Sequence, residues 1–291
     1  MARCTYCGKP AGLLRKDHPQ CRERYENAIN RIPAFFSKIL NNPLDAQRFS
    51  QLLVGVAETS HIPPDIFKSI NLAGLNNIID EILQQRLITL EEEQRIFELK
   101  DALNIGATEF SGMEDKLIKA AILRDLSEHK SSQHIEIVGP MPIDLGPNET
   151  VFWIFNQVKC FQPQPADKAT GITLPLEDFF GGQSQADQTL SAFFPRTDLS
   201  ANYTLPDTSL DDGTGDLVIT NYNLYFLSKG KWRLIPISEI GALNLYAEGI
   251  KVGRAASDNG GRIFLLKDPW FAANLIAMGI MSTRSNASID H

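Results

Sequence analysis

Near the start of the chain, Cys4-Thr5-Tyr6-Cys7-Gly8 and Asp17-His18-Pro19-Gln20-Cys21 gather three of the four cysteines and one of the five histidines. No other feature restricts the fold as much. Two cysteines two residues apart can reach one ion when a following glycine lets the chain turn back and aim its amides at the thiolates. His18 and Cys21 stand at i and i+3, which puts them on one face of the first turn of a helix. Asp17 reads as the N-cap of that helix, and Pro19 is tolerated where first-turn amides have no partner. Cys4, Cys7, His18 and Cys21 are therefore the expected ligands of one tetrahedral zinc ion. The alternative is a set of ordinary thiols near a terminus. A catalytic zinc would keep a coordination position open for water, and four filled positions argue for a structural one.

A cysteine knuckle followed by two ligands on a helix's first turn resembles the treble-clef class of zinc fingers, here in the order Cys, Cys, His, Cys over residues 1–30. The HNH nucleases also use such a scaffold, but they need a further catalytic His and a metal-binding His or Asn nearby. The only local histidine, His18, is spent as a ligand.

The 291-residue chain carries a net charge of -7, which makes it a poor general ligand for a phosphate backbone. The head is the exception: Arg3, Lys9, Arg15, Lys16, Arg22 and Arg24 outnumber Asp17 and Glu23 there. Arg15, Lys16, Arg22 and Arg24 keep a nucleic-acid reading open, beside the plainer one of a solvated surface. No charged-then-apolar leader opens the sequence, and no apolar run approaches the roughly 20 residues that span a bilayer. A cytoplasmic protein with reduced thiols is expected, with Cys160 a buried small hydrophobe.

From Cys21 to about Glu128 the pattern has helical period, and a helical region is expected over 31–130. Apolar stripes run through Tyr25, Ala28, Ile29, Ile32, Phe36, Ile39 and Leu40, then Phe49, Leu52, Leu53, Val56 and Ala57, then Ile78, Ile79, Ile82 and Leu83. Pro33 should kink or restart the first of these helices. Thr89 with Glu92 forms a capping-box signature, and Glu91 to Glu93 complement a helix N-terminus. Ile79 to Leu83 with Leu87 to Glu93 is similar to the short helical hairpins of the SHOCT type, which bacterial proteins append to other domains. That resemblance implies a protein-contacting or oligomerising module; a packing hairpin in a small bundle is the alternative.

Over 131–291 the period becomes two. Val151 to Phe155 and Val158 to Phe161 predict a buried strand, with another at Ile172 to Leu176. Residues 179–215 are polar and rich in Gly, Ser and Asp, and are expected to form a long insertion. Its carboxylates Asp207, Asp211, Asp212 and Asp216 lack the alternate-position spacing of an EF-hand loop and read as solvated turn residues. Short strands follow around Leu217, Leu224, Trp232, Leu243, Ile250 and Ile263, with a hairpin signal at Asp258 to Gly261. Asp268 and Pro269 cap a final amphipathic helix. The expected class is α+β: zinc finger, helical region, and an antiparallel β-domain closed by a helix. Gly215 to Thr220, Tyr225-Phe226, Ile237 to Ile240, Gly249 to Val252 and Phe264 to Leu266 resemble the PH/GRAM superfamily. The resemblance implies a binding module for protein or for phosphoinositide headgroups, and Lys229, Lys231 and Arg233 around one hairpin are the residues a headgroup would meet.

No nucleophile elbow, phosphate loop or dinucleotide fingerprint is present. A non-catalytic zinc-binding adaptor that recognises a protein partner is the expectation, with a nucleic-acid binder working through the head as the alternative. A membrane-lipid partner is the weaker case, and no small-molecule substrate is indicated.

Overall fold

Helix signals in the first half of the chain are local and strong, and they are realised where the sequence places them. A computed structural model of the chain describes residues 2–12, 15–39, 45–128, 130, 143–162, 172–175, 196, 210–254 and 261–287. It divides into two units, Met1–Ala120 and Ala121–His291. The first opens with an antiparallel pair, β1 (Ala2–Arg3) and β2 (Pro10–Gly12), followed by α1 (Pro19–Ile39), α2 (Ala46–Thr59), α3 (Pro64–Leu83) and α4 (Leu90–Ala102). The last helix of the series, α5 (Ala107–Ser127), runs across the division.

Asp45 caps α2 through the amide of Arg48 at 2.7 Å. Thr89 and Glu92 form the complete capping box of α4. Helix α1 departs from expectation: it continues unbroken through Pro33. An interior proline costs about 3 kcal/mol. Ile32, Phe36 and Ile39 are all buried on the same stripe, and each such burial contributes about 1.5–3 kcal/mol, so packing outweighs the break. Phe36 meets Phe49 of α2 edge-on at 5.2 Å and lies against Gly74 of α3, where a Cβ would come within 2.5 Å of its ring. Lys116 ties α5 to α3 through Asp80 at 2.7 Å and Asn76 at 2.8 Å.

In the second unit the strands are β3 (Val151–Gln162), β4 (Ile172–Pro175), β5 (Leu210–Thr220), β6 (Asn223–Ser228), β7 (Lys231–Pro236), β8 (Ala242–Leu245), β9 (Gly249–Gly253) and β10 (Arg262–Leu265). A 3₁₀ turn, Ile237–Glu239, joins β7 to β8, and α6 (Pro269–Ala287) closes the series. The sheet order is β4-β8-β9-β10-β3-β5-β6-β7, antiparallel throughout. β3 makes this possible because it pairs with β10 on one side and β5 on the other. Its register shifts between Phe155 and Val158, where Gln157 takes φ 60°; such a bulge bends a strand. Val158, Cys160, Leu217, Ile219, Phe226 and Phe264 fill the core, and every α6 residue from Trp270 to Ile280 is buried. Phe271 stands edge-on to Trp153 at 5.2 Å, and its amide is capped by Asp268 at 3.1 Å.

The polar stretch read as an insertion over 179–215 is shorter at its end, because β5 begins at Leu210 and places Asp211, Asp212 and Asp216 in a strand. Glycines hid that strand: Gly213 takes φ 109°, and a Cβ on Gly215 would run into the carbonyl of Leu227. Asp207 and the turn around Asp258 to Gly260 lie outside the described residues.

Candidate metal centre

The β1–β2 hairpin exists to bring its own turn back on itself. Gly8 adopts φ 69° and donates its amide to the Cys4 carbonyl at 2.9 Å, while Cys4 N–H bonds the Lys9 carbonyl at 2.7 Å. This sets the Cys4 and Cys7 thiols side by side. Thr5 then reaches across to the Lys16 carbonyl with both its amide and its hydroxyl, each at 3.0 Å, and carries the segment before α1 to the knuckle. Tyr6 stacks near Tyr25 of α1 at 4.9 Å.

Helix α1 starts at Pro19, so His18 occupies the capping position and Asp17 lies outside the helix, contrary to the expected Asp17 cap. The proline explains the shift, since its missing amide suits the first helical position and makes His18 the residue before it. Cys21 stands in the first turn, its amide bonded to the His18 carbonyl at 3.0 Å.

Cys4, Cys7, His18 and Cys21 converge with all four donor atoms within 4.8 Å of one another. Nδ1 of His18 is 3.4 Å from the Cys7 sulfur and 3.7 Å from that of Cys21. Zinc bonded to sulfur at about 2.3 Å and nitrogen at about 2.05 Å in a tetrahedron sets them about 3.6 Å apart. The group thus has the dimensions of a tetrahedral site. The other ring nitrogen, Nε2, lies 3.0 Å from the Pro10 carbonyl, a contact that fixes the tautomer and frees Nδ1 to ligate.

Proton affinities in the cluster pull apart. Burial of the Cys4 thiol opposes ionisation, but amides of Cys7, His18 and Tyr6 aimed at its sulfur lower it to about 6. Burial raises Cys21 to about 11, reinforced by the neighbouring sulfurs of Cys7 and Cys4. The Cys7 contact, then the Pro10 carbonyl, raise His18. Three thiolates cannot share so small a space without a cation between them, and a soft divalent ion is what this donor set suits.

The basic residues of the head remain at the surface: Arg15, Lys16 and Arg24 are exposed, and Arg22 reaches Asp17 only at 3.9 Å. Lys229 is exposed at the β6–β7 turn, and the side chain of Lys231 lies outside the described residues. Arg233 is not a free cation at that hairpin. It pairs with Asp212 at 3.0 Å; Arg262 approaches the same carboxylate at 3.4 Å. A cavity of about 450 Å3 opens there, also lined by Glu239 and Arg254, which pair at 2.6 Å. Nothing local in the sequence signals this cluster, since strand pairing alone unites residues as distant as 212 and 262.

A second polar hub escaped the sequence reading. Glu149 accepts from Thr220 Oγ1 at 2.6 Å, Asn223 Nδ2 at 2.9 Å, Tyr225 Oη at 2.9 Å and the Gly146 amide at 3.0 Å. Burial opposes its charge, yet these donors hold the carboxyl below its ordinary range. Comparison with protein-family models, curated proteins and solved structures returns no match. Among the described residues, no helix is long and apolar enough to cross a membrane.

Proposed function

We propose that this chain is a non-catalytic adaptor, with a structural zinc ion holding its amino-terminal head and a sheet domain that recognises a protein partner. The observation that carries the reading is the closed set of Cys4, Cys7, His18 and Cys21 around one point. All four tetrahedral positions are taken by side chains, which leaves no place for an activated water. The ion therefore works as a staple. The hairpin and helix start that hold the ligands resemble a treble clef.

Strand order in the second unit supports the PH/GRAM resemblance. β3 and β5 to β10 form a meander in which the first strand pairs with the last, and a helix follows. This plan serves binding in that superfamily. Protein is favoured over an inositol phosphate as the ligand because Arg233, of the Lys229, Lys231 and Arg233 group, is already paired with Asp212.

Full-length protein should contain about one zinc per chain by elemental analysis, lost in Cys7→Ser. Partner capture should fail when either the head or the sheet unit is removed. A partner retained by both truncated chains overturns the adaptor reading. The exposed Arg15, Lys16 and Arg24 favour one other reading, a nucleic-acid interface on the head. It requires DNA or RNA binding that weakens steeply with salt; no binding at low salt ends it.

A further inference from the structure

The four ligands sit on two separate stretches of chain. Cys4 and Cys7 belong to the knuckle, while His18 and Cys21 flank the start of α1. A ligand set keeps its geometry only when the segments carrying it are held by contacts of their own. The knuckle bonds, from the Gly8 amide to Cys4 and from the Cys4 amide to Lys9, lie within the first stretch and say nothing about where the second stands.

The residues between the two knuckle cysteines, Thr5 and Tyr6, make the crossing. Thr5 donates its amide and its hydroxyl to the Lys16 carbonyl, each at 3.0 Å. A carbonyl oxygen has two lone pairs, so this one residue can fill both. Lys16 stands two positions before His18, whose amide lies 3.4 Å from the Cys4 sulfur, and the bond thereby fixes the stretch from which the imidazole projects. Thr5 is exposed, so its hydroxyl serves this contact with little packing beside it. Tyr6 meets the helix instead. Its ring lies 4.9 Å from that of Tyr25, tilted by 44°. Tyr25 follows Cys21 by four positions and shares its face of α1, so the ring contact sets the rotation that aims the Cys21 thiol.

We propose that Thr5 and Tyr6 are positioning residues of the metal centre, Thr5 for His18 and Tyr6 for Cys21. The inference rests on the structural-zinc reading. Neither residue is among the four ligands. Where a site orders together with its ion, contacts made in the bound form appear as metal affinity. Partners that orient ligands are worth about 10–100-fold in that affinity. The Thr5 share belongs at the low end, because the Pro10 carbonyl still holds the other nitrogen of the His18 ring at 3.0 Å.

The test uses the full chain and zinc alone, with affinity measured by competition against a chelating dye. Thr5→Val keeps the side-chain shape and removes the hydroxyl, and Tyr6→Ala removes the ring. Each should weaken zinc binding about tenfold, whereas Thr5→Ser and Tyr6→Phe should bind as the wild type does. Pairing with the ligands themselves shows which one each residue serves. Thr5→Val should have no further effect in His18→Ala and keep its full effect in Cys21→Ala; Tyr6→Ala should do the reverse. A change that only loosened the head would add equally in both backgrounds. An unchanged circular dichroism spectrum checks that α1 to α5 are folded in every variant. Wild-type affinity in Thr5→Val and Tyr6→Ala, equal losses in Thr5→Ser and Tyr6→Phe, or equal effects in the two ligand backgrounds each overturns the assignment and leaves the zinc reading standing. A wild-type chain that takes up no zinc ends that reading, and this inference with it.

Discussion

A strong chelator should unfold the head and leave the helices, if the proposed ion orders it. Over residues 2–12 the buried side chains are Cys4 and Ala11 alone, 2% and 8% exposed. Two such small groups contribute about 2–3 kcal/mol together, whereas ordering eleven backbone residues costs about 11 kcal/mol at the low end. The shortfall of about 8–9 kcal/mol is one that the about 10–16 kcal/mol of a structural zinc site would cover. A strong chelator, or Cys7→Ser, should therefore release the β1–β2 hairpin. Amide hydrogen exchange is the assay: Cys4, Gly8 and Cys21 amides, protected in the intact head, should exchange at nearly the rate of an open chain. Amides of α3 and α4, held by Leu75, Ile79, Ile96 and Leu99 in the core, should keep their protection. A head that stays protected in metal-free protein would refute the argument that the ion, and not packing, orders this segment.

Glu149→Gln should lower the melting temperature of the second unit at neutral pH, because one amide oxygen cannot replace a carboxylate that takes four donors. Its folded carboxyl lies below the ordinary 4.5, so its stabilisation is present above that pH and lost as pH falls through the lower folded value; the acid slope of stability between those points should shrink in the variant. Gly74→Ala should destabilise by about 1–2 kcal/mol in denaturant titration, since a helix-propensity gain of about 1 kcal/mol is outweighed by overpacking against the buried Phe36 ring. Gly74→Ala combined with Phe36→Leu should recover part of that loss. Asn71 is 2% exposed with Oδ1 unpaired, so Asn71→Leu should stabilise by about 1 kcal/mol, read as a shift of the denaturant midpoint.

Legibility in the sequence followed the range of the interaction. The convergence of Cys4, Cys7, His18 and Cys21 could be read because knuckle and helix start are both local, and so could the Thr89–Glu92 box and the Asp268 cap. Pro33 misled because a local rule about hydrogen bonds ignores what the stripe buries. The start of β5 was hidden by Gly213 and Gly215, which weaken a strand signal while permitting the close approach to β6 that the strand needs. The cluster of Asp212, Arg233 and Arg262 could not be read at all. Lys229, Lys231 and Arg233 form one basic group in sequence, yet Arg233 pairs with Asp212, a carboxylate 21 positions earlier that the sheet brings to it. Alternation along β7 does set Trp232 and Leu234, both exposed, on one face and the Arg233 guanidinium on the other. Register, more than composition, therefore decides which side chains meet there.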